Sequence, residues 1–313
     1  MRMESARHFP CRMCGAARFL PLCTKRWRGP NFSDHDDDNG RPSTMAAAAV
    51  VEFVDNPWFA RMPFFWWDEL QCLAANVAVA RAHREEWRDL FVAQFLATSI
   101  IGEDPAAEAR PGDTLQLAMD IIENKPMPVD GNPRVWRKLV NLQAAWAAHR
   151  DVPPDVLLTA GTIKHMHAMI CDGLDVPRAG HFRTTVAAAH GFPIIYERPT
   201  KITASLDSLL AQFRSVFGKL PTIGTALTEA AVFFASFLLI HPFGNGNGRV
   251  ARLLASLLLE PFVVVPLILN DTREDYLRLV HAAQLHGATN ELATYFLRSA
   301  CSCAANAAFL SLP

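Results

Sequence analysis

Between Asp68 and Ile101 the apolar residues Leu70, Leu73 and Val77, then Trp87, Leu90 and Phe91, recur at steps of three and four. That period lines one face of a helix, so the pattern predicts one long helix or two over 68–101. Pro105, Pro111 and Gly112 interrupt it. The same reasoning predicts helices over 114–123, 134–150 and 154–170, with Gly173, Pro177 and Gly180 marking a loop after the last. Over 182–196 the pattern turns to short extended pieces, Thr184 to Val186 and then Ile194 and Ile195 beyond Gly191, which predicts a hairpin-like flap. Helices resume near Ile202, and Thr228 to Ile240 is apolar almost all round, as a helix at the centre of an α domain is. The body therefore reads as an all-α fold with a small β-hairpin flap.

Charge narrows the function classes. The chain has 313 residues, half of them hydrophobic, with 30 Lys+Arg against 31 Asp+Glu. Such balance argues against a nucleic-acid binder working through a broad basic face and against an acidic disordered chain. The richest apolar run, after Val250, is broken by Arg252, Glu260, Pro261 and Pro266, so no membrane span is expected. Seven cysteines are too few for a disulfide scaffold, and a cytoplasmic, reducing compartment fits them.

The first 44 residues differ from the rest. Arg2, Arg7, Arg12, Arg18, Lys25, Arg26 and Arg28 face the single acid Glu4, and a polar stretch with Asp36, Asp37 and Asp38 follows. Residues 1–44 read as a disordered or transit-like leader, compatible with organelle import or with a start at Met45. Cys11 and Cys14, with His8 and Cys23, offer zinc-type ligands, but without a second CxxC they read as unpaired thiols. Residues 45–115 are expected to form an N-terminal helical region, and 116–313 the domain that carries the chemistry. The aromatic cluster from Trp58 to Trp67 reads as core or as the contact of a homodimer rather than a base-stacking surface.

The chemistry concentrates in one stretch, HPFGNGNGRVAR, from His241 to Arg252. Pro242 disfavours helical geometry in the residue before it, so the apolar helix is expected to end at His241 and to display the imidazole. Glycines at 244, 246 and 248 leave backbone N–H groups unobstructed. From Arg249 the apolar period is helical again, so the loop opens into a helix N-terminus, where oriented N–H groups favour an anion such as phosphate. Arg249 and Arg252 add charge and bidentate reach one turn apart. The Lys-Ser/Thr ending of a P-loop is missing, as is GxGxxG spacing.

This stretch closely resembles the signature of the Fic (fido) family, HPFx(D/E)GNGRxxR. Gly180-His181-Phe182-Arg183 resembles the family segment leading into a flap that holds a target peptide, and Asp275-Tyr276 resembles an (E/D)Y pair opening a helix, with Asp271 and Glu274 as a capping pair. The resemblance implies transfer of AMP from ATP to a Ser, Thr or Tyr hydroxyl of a protein substrate. It implies His241 as general base, with the Gly246-Asn247-Gly248 backbone, the Asn247 side chain and Arg249 stabilising phosphoryl oxygens. Arg252 would meet the γ-phosphate or an inhibitory glutamate, and Phe243 would anchor the loop.

Two features qualify the resemblance. Asn245 stands where the family has Asp or Glu to hold Mg²⁺ or Mn²⁺. An amide oxygen ligates magnesium without the charge that makes carboxylate the preferred ligand, so the alternative is a catalytically impaired nucleotide- and peptide-binding regulatory protein. Ser99 and Glu103 supply S-xxx-E of an inhibitory helix motif, with Asp104 where Gly or Asn is expected. His165 and His167, two apart on a helix, point to different faces and do not suit a shared metal. His181 and His190 read as solvated flap residues.

Overall fold

In a computed structural model, residues 67–310 are described, apart from 102, 190, 220–221 and 270–272. The leader with Cys11, Cys14 and Cys23, the aromatic residues 58–66, His190 and Asp271 lie outside the described residues. Among the described residues the chain is helical, with no sheet and one isolated antiparallel bridge.

The first apolar stretch forms two helices, α1 (Trp67–Ala82) and α2 (Arg84–Ile101), separated at His83. The prolines that follow start helices rather than merely ending one. Pro105 opens α3 (Pro105–Ala109) and Pro111 opens α4 (Pro111–Ile122), because a first-turn residue has no intrahelical partner for the N–H that proline lacks. Pro133 does the same for α5 (Pro133–His149), behind an Asn132 cap.

The single helix expected over 154–170 is instead a short α6 (Pro154–Leu157) and α7 (Ala160–Ile170). Thr159 divides them: it is extended, and its hydroxyl accepts the Thr162 N–H at 3.1 Å as an N-cap. After the flap come α8 (Ile202–Phe217), α9 (Ile223–Ile240), α10 (Asn247–Val263), α11 (Arg273–His286) and α12 (Thr289–Leu310). Pro261 lies within the last turn of α10, and the helix ends at Val264 in the left-handed region.

Helix α9 is the centre, packed against α8, α10, α11 and α12. Phe233, Phe234 and Phe237 are fully buried, and Phe233 meets Phe213 while Phe234 meets Phe296 edge to face at 5.3 and 5.4 Å. By length and composition this 18-residue helix could cross a membrane, against the expectation that the chain has no such run. Most of it is buried by neighbouring helices, and aromatic packing accounts for its composition. The break between α9 and α10 therefore adjoins the buried centre of the core.

Candidate active site

Helix α9 ends at His241, which adopts φ 50° and ψ 59°. A left-handed conformation in a residue with a Cβ costs about 1–2 kcal/mol, so its surroundings must hold it. Arg183 does so. Its Nε donates to the His241 carbonyl at 2.7 Å and its other nitrogens donate to the carbonyls of Ile240, Thr185 and Glu197. One buried guanidinium thus satisfies the carboxyl end of α9 and ties it to both arms of the flap. The flap is a hairpin with the bridge Ala188–Ile195 and hydrogen bonds Ala189 N–H to Ile194 O and Tyr196 N–H to Ala187 O.

The imidazole of His241 is fixed in one tautomer. Its Nδ1 lies 3.3 Å from the Leu238 carbonyl, which can only accept, so the proton sits on Nδ1 and Nε2 carries the lone pair. Tyr196 stacks on the ring at 3.9 Å and 8°. Burial, assisted by the Arg183 charge, pushes the group down to about 4, well below the near-neutral titration expected of a histidine base. The neutral form therefore dominates at physiological pH.

From Pro242 to Gly246 the loop is held from beneath. Phe243 is buried and stacks on His167 at 3.8 Å, in keeping with an anchor. The Asn247 side chain, expected among the phosphate donors, is spent inside the loop: its Oδ1 accepts the Phe243 N–H at 3.0 Å and its Nδ2 donates to the Phe243 carbonyl at 2.8 Å. What Asn247 leaves for an anion is its backbone N–H, at the start of α10 behind Gly246 at φ 80°.

That helix end holds the chain's own carboxylate. Glu103, just beyond α2, pairs through Oε2 with Arg249 Nε at 3.0 Å and through Oε1 with Arg252. Arg252 also donates to the Ser99 carbonyl at 3.0 Å. Burial raises the Glu103 carboxyl, but Arg252 and then Arg249 outweigh it and hold the group below its ordinary value. The pairing with Arg252 matches the sequence expectation; the second arginine does not follow from it. Asp104, the departure from the inhibitory motif, has its own work. It caps α3 by accepting the Ala106 N–H at 2.9 Å and pairs with buried Lys138 at 2.5 Å.

A cavity of about 660 Å³ is lined by His241, Asn245, Gly246, Gly248, Arg249 and Arg252 together with Tyr276, His281 and Gln284 of α11. In that lining His281 Nδ1 and Gln284 Oε1 are buried without a hydrogen-bond partner. Sequence reading singled out neither, and their spacing of three on an amphipathic helix was the available signal. His167, set aside as a metal ligand, is buried under the motif loop, whereas His165 and His181 are exposed.

The donor set does not fit a divalent cation held by the protein. Asn245 Oδ1 accepts the Gly246 N–H at 2.6 Å and carries no charge, and the described residues contain no group of three or more metal-ligating side chains.

Residues 157–259 match the family model described as the Fic/DOC family. A protein adenylyltransferase fic-1 of Caenorhabditis elegans is 30% identical over 128 residues, a match spanning 39% of this chain but 23% of that relative's length. Among solved structures, a Fic family protein from Desulfovibrio desulfuricans G20 superimposes with TM-score 0.59 at 18% identity, over 76% of this chain and 74% of that one. Fic-1 of C. elegans (residues 134–508) does so with TM-score 0.58 at 19% identity, over 85% and 77%. These structures share the fold.

Proposed function

Because the chain carries a Fic/DOC family domain over residues 157–259, we propose that it transfers AMP from ATP to a Ser, Thr or Tyr hydroxyl of another protein and is restrained by its own Glu103. The observation that carries this reading is the Glu103 carboxylate seated between Arg249 and Arg252, at the start of α10 and in the cavity that His241 lines. An anion site that attracts an internal carboxylate is built for phosphate as well. ATP would replace the carboxylate there with its β- and γ-phosphates, met by Arg249, Arg252 and the first N–H groups of α10.

The substrate hydroxyl attacks the α-phosphorus, and Nε2 of His241 takes its proton. A new P–O bond forms to the side chain, and the bond from the α-phosphorus to pyrophosphate breaks. Charge that builds on the phosphoryl oxygens is stabilised by donors already in place, which avoids reorganisation during the reaction. The part of the cavity beside His281 and Gln284, with their orphaned polar atoms, would take the nucleobase. The flap, with exposed Val186 and Ile195 at its edges, would align a target peptide by strand addition. Mg²⁺ or Mn²⁺ would arrive on the triphosphate of the substrate rather than on a protein site.

Asn245 favours a second reading, a nucleotide- and peptide-binding regulatory protein without transfer, since the motif carboxylate is absent. Incubation with ATP labelled at the α-phosphate separates the two. Covalent label on protein supports transfer; saturable binding without label supports the second reading.

A further inference from the structure

We propose that His167 is a positioning residue, one that pins the catalytic loop and the root of the flap to the same turn of α7. The inference rests on the site proposed above but concerns how that site is held.

The imidazole is held from opposite sides, and Cys171 Sγ also lies 3.4 Å from its Nε2. Nε2 lies 2.9 Å from the Asn245 carbonyl, and Nδ1 lies 2.9 Å from the Gly180 backbone nitrogen. The carbonyl can only accept and the N–H can only donate, so the pair dictates a single neutral tautomer with its proton on Nε2. The ring face is covered by Phe243 with planes 1° apart, and the residue is 1% exposed. Two glycines make the approach feasible. A Cβ on Gly246 would come within 3.2 Å of Cys171 Sγ and 3.4 Å of His167 Nε2, and a Cβ on Gly180 within 3.0 Å of Ala168 Cβ. Both glycines have φ near 80°, at +80° and +77°, a conformation that glycine adopts without strain.

One turn of α7 is thus a common floor for two segments 65 and more residues apart in the chain, the loop after His241 and the chain entering the flap. A protonated ring would set two N–H donors against each other at Gly180. Burial is the largest cause of the depressed basicity of His167, which falls to about 4, and the electrostatics agree with the geometry.

The wild-type chain provides the first test. Long-range ¹⁵N–¹H correlation of the His167 ring near neutral pH should give the neutral Nε2–H tautomer; an Nδ1–H tautomer or a charged ring would overturn the assignment. The second test separates the two bonds. Gln replaces the donor at the Nε2 position and Asn the acceptor at the Nδ1 position, so amide hydrogen exchange is followed over 180–189 and 243–248 in both variants. His167→Gln should keep loop protection and speed exchange at the flap root by about tenfold, the loss of one hydrogen bond to a buried group. His167→Asn should do the reverse. Parallel effects in both segments for both variants would reduce His167 to ordinary core packing. In a Glu103→Ala background, affinity for ATP should fall in the Asn variant more than in the Gln variant. Exchange and tautomer are read without any reaction, so absence of AMP transfer would leave this inference standing and its failure would leave transfer untouched.

Discussion

A Cβ placed on Gly248 would lie 2.5 Å from Oε1 of Glu103. The carboxylate rests directly on the first turn of α10, in the space an incoming phosphate would need, and glycine is what leaves that space open. Glu103→Ala should therefore raise affinity for ATP by about 10- to 100-fold, the worth of charge-assisted hydrogen bonds no longer competing for Arg249 and Arg252. Titration calorimetry measures it. Adding Gly248→Ala to Glu103→Ala should remove most of the gain, whereas undiminished affinity in the double variant would mean that ATP binds elsewhere.

Asp104 extends the same device into the scaffold. Its carboxylate and Lys138 are both buried and 2.5 Å apart, so Asp104→Ala leaves a buried ammonium without its hydrogen-bonded partner. Losing one partner of such a pair costs about 3–5 kcal/mol. Urea unfolding should register that loss, and Asp104→Ala should also loosen Glu103 and raise ATP affinity by less than Glu103→Ala does. An Asp104→Ala variant with wild-type stability and affinity would contradict the linkage.

The protonation of His241 sets the pH dependence. An imidazole at its ordinary 6.5 would switch on as a base across the neutral range, but this one stands at about 4. Transfer by a Glu103→Ala variant should accordingly be flat around neutrality and fall only as pH drops toward about 4. The same shift acts on stability. Below 6.5 the unfolded chain takes up a proton that folded His241 refuses until about 4, so stability is present above 6.5 and is lost as pH falls through that window. Tyr196→Ala uncovers one face of the ring and should move the acid limb of the rate profile upward.

Asn245→Asp restores charge with almost no change of shape. It should lower the magnesium concentration required for half-maximal transfer, because carboxylate is the preferred ligand of that ion. Unchanged magnesium dependence would place the ion wholly on the triphosphate. Tighter binding of Mg·ATP without transfer would favour the binding-only reading.

Local pattern made most of the fold legible. The helical period gave α4 and α5 to within a few residues, the outer bounds of α1 and α2 but not the break between them, and the start of α8, and Pro242 marked the end of α9 at His241. The motif from His241 to Arg252 brought the loop, the helix start and both arginines into view, and S-xxx-E pointed to the Glu103–Arg252 pair. What stayed hidden was either a close local choice or a distant contact. Thr159 caps a helix inside a stretch whose apolar period runs on unbroken, and proline reads as a stop as readily as a first turn. His167 meets Asn245 across 78 positions and Asp104 meets Lys138 across 34, and no spacing in the chain announces either. Asn247 has the chemistry of a phosphate donor, yet its amide closes the loop on Phe243.

The proposed transfer joins a base, an anion site and an internal inhibitor, and one comparison tests all three. Glu103→Ala and Glu103→Ala/His241→Ala proteins are incubated with Mg·ATP labelled at the α-phosphate and a cell extract, while ATP binding is measured on the same preparations. Covalent label on protein is expected with Glu103→Ala, its loss with the double variant, and ATP affinity within a few-fold between the two, since the anion site does not need the imidazole. Binding of Mg·ATP by Glu103→Ala with no label on any protein, or equal label after removal of His241, would contradict it.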